Sequence, residues 1–316
     1  MAELMYNQGP KETLAALLAG GRFPHALLIE GPEGSGKRTL AMEAAASLLC
    51  RAPAGERPCG SCPACKKLRS GSHPDFMTVD GAAQRSVSVD AVRGVRQEAY
   101  IAPHESERRI FFFPSANALT VQAQNALLKL IEEPPRNVFF ILTAPGRSLL
   151  LPTVVSRAIV ITMEETTKEQ RFEALQKLRP DAGEEAMRRA ARLAPTIGQA
   201  LAALADETYQ RLSADAFSLL DLAEAKSRYG ILRLLASYEK DRERFLRLIA
   251  AAKAAALARA ADLAREGSIS LALQCGIIVD IMDWAAAAAR QNVGLGLLSA
   301  LLADRLVRMS AVGQAL

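Results

Sequence analysis

Over the first half of the chain, short and nearly continuous apolar runs alternate with segments of helical period. The second half carries the helical period alone. "HALLIE" (25–30), "RRIFFF" (108–113) and "NVFFILT" (137–143) are the apolar runs. Such runs predict strands covered on both faces, as in a parallel sheet. Between them, "KRTLAMEAAASLL" (37–49) reads as a helix. "TVQAQNALLKLIEEPP" (120–135) places Val121, Leu127, Leu128 and Ile131 at helical spacing and closes on Pro134 and Pro135. Strands alternating with helices predict an α/β domain.

Strands stop after Met163. "TKEQRFEALQKL" (167–178) and "GEEAMRRAARLA" (183–194) read as amphipathic helices, and "PTIGQALAALADETY" (195–209) begins a third. The connections "LRPDAG" and "AP" carry turn chemistry. From about Glu207 the chain is Ala- and Leu-rich and helical throughout. Its basic residues ("YEKDRERFLRLI", "LLADRLVRMS") read as solvated helix faces, and Trp284 in "DWAAAAARQNVG" reads as core. The expected fold is α/β plus all-α, with an α/β domain at 1–162, a small helical domain at 163–206 and a larger one at 207–316.

Half of the 316 residues are apolar, so the chain is globular. No apolar run in the sequence approaches the ~20 residues of a membrane span. The N-terminus lacks a basic stretch followed by an apolar segment. No membrane association and a cytosolic location are therefore expected. Net charge is +5 with a pI near 9.0, which suits a nucleic-acid neighbour and equally an ordinary soluble protein. Aromatics at 5% argue against recognition of single strands by base stacking.

"IEGPEGSGKRTLA" (29–41) carries the first candidate chemistry. Glycines at 31, 34 and 36 let backbone N–H groups crowd phosphate oxygens at the start of a helix, and Lys37 can neutralise terminal phosphates. A strand before and a helix after are the context such a loop requires. The next position needs the hydroxyl that holds Mg²⁺ and is Arg38 instead. Thr39 lies ~100° further round the helix and is a poor substitute. Hydrolysis of this class also needs carboxylates after a neighbouring strand. "RRIFFF" is followed by Pro114, Ser115, Ala116 and Asn117, and no Asp or Glu occurs from Arg108 through Ile131. Two parts of the hydrolytic machinery are missing together, so intrinsic ATP hydrolysis is not expected.

Four of the five cysteines, Cys50, Cys59, Cys62 and Cys65, fall in "CRAPAGERPCGSCPAC" with x8-x2-x2 spacing. In a reducing compartment such a cluster indicates metal or redox chemistry before disulfides. Four sulfurs suit a closed, structural Zn²⁺ site. Redox thiols or an iron–sulfur cluster are the alternatives. In "LPTVVSRAIVI" (151–161), Arg157 precedes a strand-like run, either as a surface ion-pair residue or in a special role.

Together these residues resemble the delta-prime subunits of bacterial DNA polymerase III clamp loaders, of the AAA+ clamp-loader family. The likeness is densest from Gly21 to Ile161. It covers "RFPHALLIEGPEGSGK", the four-cysteine insert, "GSHPDF", "NALLKLIEEPP" and "LLPTVVSRA". The resemblance implies a RecA-like AAA+ domain with a zinc module, a three-helix lid and a helical collar that mediates hetero-oligomerisation. It implies three gamma/tau-type ATPase subunits and a delta subunit as partners. The sliding clamp and primed DNA are met through the complex. It implies that Ser156 and Arg157 supply an arginine finger in trans to a neighbour's ATP. It further implies that Gly31, Gly34, Gly36, Lys37, Arg38, Thr39 and Thr143 form an eroded site for ATP or ADP, with Thr143 matching the first sensor. This sequence departs from the family in having Ala158 where Cys follows the Ser-Arg pair. It also departs in placing Gly198 where ATPase subunits carry a sensing arginine in the lid. The gamma/tau-type ATPase subunit is the alternative.

Overall fold

The computed structural model describes residues 4–20, 23–80, 86–291 and 293–308. Gly21 and Arg22, where the resemblance begins, lie outside the described residues, as do Met309 and Ser310 of the last basic stretch. The chain divides into two compact units, Met1–Thr167 and Lys168–Leu316.

In the first unit the order is α1 (Gln8–Ala19), β1 (Ala26–Glu30), α2 (Lys37–Leu49), α3 (Pro63–Arg69), β2 (Phe76–Thr78), α4 (Val89–Ala99), β3 (Arg109–Phe113), α5 (Val121–Glu132), β4 (Val138–Ala144), α6 (Pro152–Val155) and β5 (Ile159–Thr162). The strands form one parallel sheet in the order β2-β3-β4-β1-β5. The expected parallel sheet is thus present, and β1, which feeds the Gly-rich loop, lies inside it between β4 and β5. Alternate side chains divide between two cores. Leu28, Phe111, Phe113, Phe140 and Leu142 pack with α4 and α5 on one face. Leu27, Ile29, Ile110, Phe112, Phe139 and Ile141 pack with α1 and α2 on the other. Burial on both faces is why these strands lack polar alternation. Each fully buried Phe or Leu stabilises the fold by about 1.5–3 kcal/mol.

The helix α5 begins as its sequence predicts, with the Thr120 hydroxyl accepting from the N–H of Ala123. Its buried stripe differs from the expected one. Ala123, Leu127, Leu130 and Ile131 face the core, whereas Val121 is exposed and Leu128 half-buried. Val121 lies 200° from Ala123 around the wheel, which places it on the solvent side. The three-residue β2 is too short to show a period. Ser88 caps α4, which buries Val92, Val95 and Ala99 at i, i+3 and i+7.

The second unit is helical: α7 (Lys168–Leu178), α8 (Glu184–Leu193), α9 (Ile197–Ala205), α10 (Glu207–Glu224), α11 (Arg228–Ala236), α12 (Arg242–Arg265), α13 (Ile269–Arg290) and α14 (Leu295–Arg308). It holds two apolar clusters. One gathers Leu175, Met187, Ala190 and Leu204 from α7–α9. The other gathers Leu219, Leu235, Phe245, Met282, Leu298 and Leu302 from α10–α14. Trp284 packs against this second core rather than within it. The Arg305 guanidinium carbon sits 3.8 Å from the Trp284 ring centroid, a cation–π contact.

By length and mean composition α13, with 22 residues, is apolar enough to cross a membrane, although Asp280 and Asp283 interrupt its apolar run. Its Ile278, Ile281, Met282, Ala285 and Ala289 are buried in the helical core, with α12 packed against it, while Ile269, Leu271 and Leu273 near its start are exposed.

Candidate functional site

The Gly-rich loop leaves β1 and enters α2. Gly31 and Gly36 adopt positive φ, and their surroundings are closed. A Cβ on Gly31 would lie 2.8 Å from the Met163 Cβ, and one on Gly36 would lie 2.4 Å from the Leu4 Cδ1. Only glycine satisfies both the backbone and the space. Gly34 also has positive φ. Lys37 heads α2, and its Nζ donates to the carbonyls of Gly31 (2.7 Å) and Pro32 (2.8 Å). Burial lowers its pKa, while Glu33 acts in the opposite direction. The Ser35 hydroxyl is buried with no hydrogen-bond partner. An orphaned hydroxyl beside a partly desolvated ammonium fits an anion such as a phosphate.

The Mg²⁺ half of a nucleotide site is not assembled. Arg38 is exposed and Thr39 half-buried, both on α2. The turn after β3 holds Pro114, Ser115 and Ala116, with no carboxylate. Thr143, near the end of β4, is buried, and its hydroxyl donates to the Pro114 carbonyl. The candidate sensor is thus hydrogen-bonded to the loop where the acids would stand. Gly198 lies in the first turn of α9.

A carboxylate the sequence reading did not single out anchors this region. Glu30, the last residue of β1, is buried directly before Gly31. It accepts from the Arg147 backbone N–H (2.7 Å), the Arg147 Nε (2.8 Å) and the Thr162 hydroxyl (2.8 Å). Its bond to Arg147 above all holds its pKa down to about 2, against burial, with further help from Thr162. The ordinary value is 4.5, so this ionised group contributes stability fully above about pH 4.5 and loses it as pH falls towards about 2. We expect Glu30→Gln to destabilise the chain at neutral pH by about 1–2 kcal/mol, since Arg147 is half-exposed and its contribution is screened. The gap between variant and parent should close across that acid window in equilibrium denaturation. A gap independent of pH would show that charge is not the cause.

Ser156 and Arg157 follow α6, a single turn opened by Pro152. The Ser156 hydroxyl donates to the Thr153 carbonyl at 3.0 Å. Arg157 Nη1 donates to the Thr153 carbonyl (3.1 Å) and to Ser156 Oγ (3.2 Å), and Nε pairs with Glu132 Oε1 (2.8 Å). The opposite end of α6 is tied to α5 as well. Buried Gln124 donates to the Leu119 carbonyl and accepts from the Leu151 N–H at 2.8 Å. The helix of the "NALLKLIEEPP" signature is therefore the platform on which the Ser-Arg segment rests.

The four cysteines converge. Their sulfurs all lie within 4.8 Å of one another, with Cys50 Sγ 3.5 Å from Cys59 and 3.9 Å from Cys62. A tetrahedron of metal–sulfur bonds near 2.3 Å sets sulfurs about 3.8 Å apart, so the donors fit a tetrahedral ion. Burial pushes the Cys65 thiol up to about 12. Backbone N–H groups, Cys62 first, hold Cys59 down to about 6. The insert is fastened to its surroundings by Lys67, which pairs with Glu105 at 2.5 Å, and by Arg51, which donates to the Glu105 carbonyl. Glu105 belongs to a loop whose backbone N–H groups at 104, 105 and 106 all donate to buried Asp75 of the "GSHPDF" stretch. Burial acts to raise the Asp75 pKa, but these three donors hold it below the usual range.

A family model described as "DNA polymerase III, delta subunit" matches residues 7–167, just over half of the chain. The chain belongs to that family. It is similar to DNA polymerase III subunit delta' of Pseudomonas aeruginosa, 40% identical over 143 residues, 44% of this chain and 44% of that protein. It is also similar to DNA polymerase III subunit gamma/tau of Mycobacterium tuberculosis, 35% identical over 156 residues, 49% of this chain and 27% of that protein. The chain spans less than half the length of these two relatives. A gamma subunit-related protein of Thermotoga maritima superposes with a TM-score of 0.47 at 19% identity, covering 93% of this chain and 99% of that one. Membership bears out the resemblance to clamp-loader delta-prime subunits, and the expected fold class, a parallel-sheet α/β domain followed by helices, is the one observed.

Among the expected site residues, the structure gathers the four cysteines into one cluster and places Gly31, Gly34, Gly36 and Lys37 in one loop. Arg157 stands on a separate, exposed segment. Arg147 and Gln124 fall in no chemical motif, while Glu30 and Glu132 lie inside "IEGPEGSGK" and "NALLKLIEEPP", where the sequence reading assigns them no role. Gln124 had a signal, a polar residue on the apolar stripe of a helix. Glu132 had another, an acid at the helix end where the dipole disfavours it.

Proposed function

We propose that this chain is the delta-prime subunit of a DNA polymerase III clamp loader: a non-hydrolytic stator that completes a neighbour's ATP site with Arg157. It assembles with gamma/tau-type ATPase subunits and delta. Through that complex it takes part in loading the sliding clamp onto primed DNA, in the cytoplasm. The observation that carries the reading is a phosphate cradle without Mg²⁺-holding groups in the same unit as an exposed, held arginine. Residues 1–162, 163–206 and 207–316 serve as AAA+ domain, lid and collar, a division supported by the two separate apolar clusters of the helical unit.

At the neighbour's site, water attacks the terminal phosphorus and the bridging P–O bond breaks. Arg157 forms no covalent bond and gives up no proton. Its guanidinium offsets charge spread over the transferring phosphoryl oxygens. Cys50, Cys59, Cys62 and Cys65 hold one Zn²⁺, a closed structural site whose ion supplies cross-linking only. The loop of Gly31, Gly34, Gly36 and Lys37 keeps a phosphate cradle able to take ATP or ADP, while Arg38 and the acid-free turn after β3 leave Mg²⁺ unheld.

The isolated chain is expected to show no Mg²⁺-dependent ATP hydrolysis and to co-purify with gamma/tau-type subunits from its host. Turnover that Lys37→Ala abolishes would overturn the reading in favour of a gamma/tau-type ATPase.

A further inference from the structure

Glu132 closes α5, where the helix dipole disfavours a carboxylate. Its partner is Arg157: Nε to Oε1 at 2.8 Å, with side chains 40% and 43% exposed for Arg157 and Glu132. The Arg157 Nη1 is held by the Thr153 carbonyl and Ser156 Oγ. Nη1 and Nε are thus engaged by groups of this chain, and among the described residues Nη2 makes no hydrogen bond.

We propose that Glu132 is a positioning residue that sets the orientation of Arg157 before the neighbouring subunit arrives. The proposal rests on the reading of Arg157 as a finger. An arginine side chain carries large rotamer entropy, and a planar fork is useful only when its face is aimed. Because the pair stands in solvent, its Coulomb attraction is screened and withdraws little charge from Nη2. What it supplies is direction. The frame behind it is stiff, since Gln124 bonds the start of the Ser-Arg segment to the same helix whose end carries Glu132. One rigid element therefore grips both ends of the short segment.

The test uses the assembled clamp loader whose ATPase subunits carry alanine in place of their own Ser-Arg arginine, leaving Arg157 as the remaining finger. Glu132→Ala is expected to lower kcat for DNA- and clamp-stimulated ATP hydrolysis by about 3–10-fold with KM for ATP unchanged, the signature of misaimed rather than lost binding. Glu132→Gln, which keeps a carbonyl oxygen at the same reach from Nε without the charge, should restore kcat to within about twofold. In an Arg157→Ala background Glu132→Ala should have no further effect. Unchanged or raised kcat in Glu132→Ala overturns the proposal, as does an equal loss in the Arg157→Ala background. If Arg157→Ala itself leaves hydrolysis intact, the finger reading falls and the proposal with it. If Arg157→Ala abolishes hydrolysis while Glu132→Ala does not, only the positioning role falls.

Discussion

Replacing Arg157 by alanine is expected to slow hydrolysis at the neighbouring ATP site by about 10³-fold or more, the range an arginine finger contributes. The expectation depends on what Arg157 lacks as much as on what it has. Its partners within the chain are a carbonyl, a hydroxyl and one exposed carboxylate, so its removal leaves no buried charge uncompensated. A surface pair of this kind is worth roughly 0–1 kcal/mol of stability. The variant should therefore fold, assemble and melt like the parent while losing the stimulated rate. With several ATP sites in the complex, the effect is read most cleanly when the other fingers have been removed. Arg157→Lys should not rescue it, since an ammonium lacks the planar fork. A stimulated rate unchanged in Arg157→Ala would falsify the finger assignment.

The second large effect concerns the cysteine cluster. One zinc ion per chain is expected by elemental analysis, falling to none in a Cys62→Ser, Cys65→Ser double variant. Structural zinc carries roughly 10–16 kcal/mol of apparent binding energy in small peptides that fold on metal. Here only part of that is coupled to stability, because Ala64 and Leu68 of α3 are buried and Leu68 joins the main core without the ion. A loss of a few kcal/mol, or roughly 5–10 °C in Tm, is expected on chelation. The sheet should remain folded. Affinity should rise with pH, because the Cys65 thiol, held up to about 12 by burial, must lose its proton to ligate. A metal-free native chain with a Tm indifferent to chelators would sink the zinc reading and leave the redox alternative.

Much of this was legible in the sequence because the relevant physics is local. "HALLIE", "RRIFFF" and "NVFFILT" are apolar on both faces, and only a covered parallel sheet accommodates that. The loop at Gly31–Lys37 is contiguous, so its phosphate chemistry and the oddity of Arg38 are both visible in one line. Cysteines two residues apart reach one ion whatever surrounds them. The absence of acids from Arg108 to Ile131 is a fact of composition, and no folding can reverse it.

The tertiary structure decided the rest, where partners come from distant strands and helices. Glu30 meets Arg147 and Thr162 only because β1 lies between β4 and β5. Val121 fits the helical period as well as Leu127 does, yet it is exposed, because only contact with the sheet selects which stripe of α5 is inner. Which face of α13 is buried, that of Ile278, Met282, Ala285 and Ala289, is set by the helices packed against it, α12 first. Arg157 shows the division most clearly. Its sequence neighbours describe a surface arginine after a short turn, with two roles open. The fold brings the end of α5 beside it, so that Glu132 and Thr153 aim a side chain that could otherwise sample many rotamers. Residue type and spacing set which chemistry is possible; direction depends on groups far apart in the chain, and only their packing supplies it.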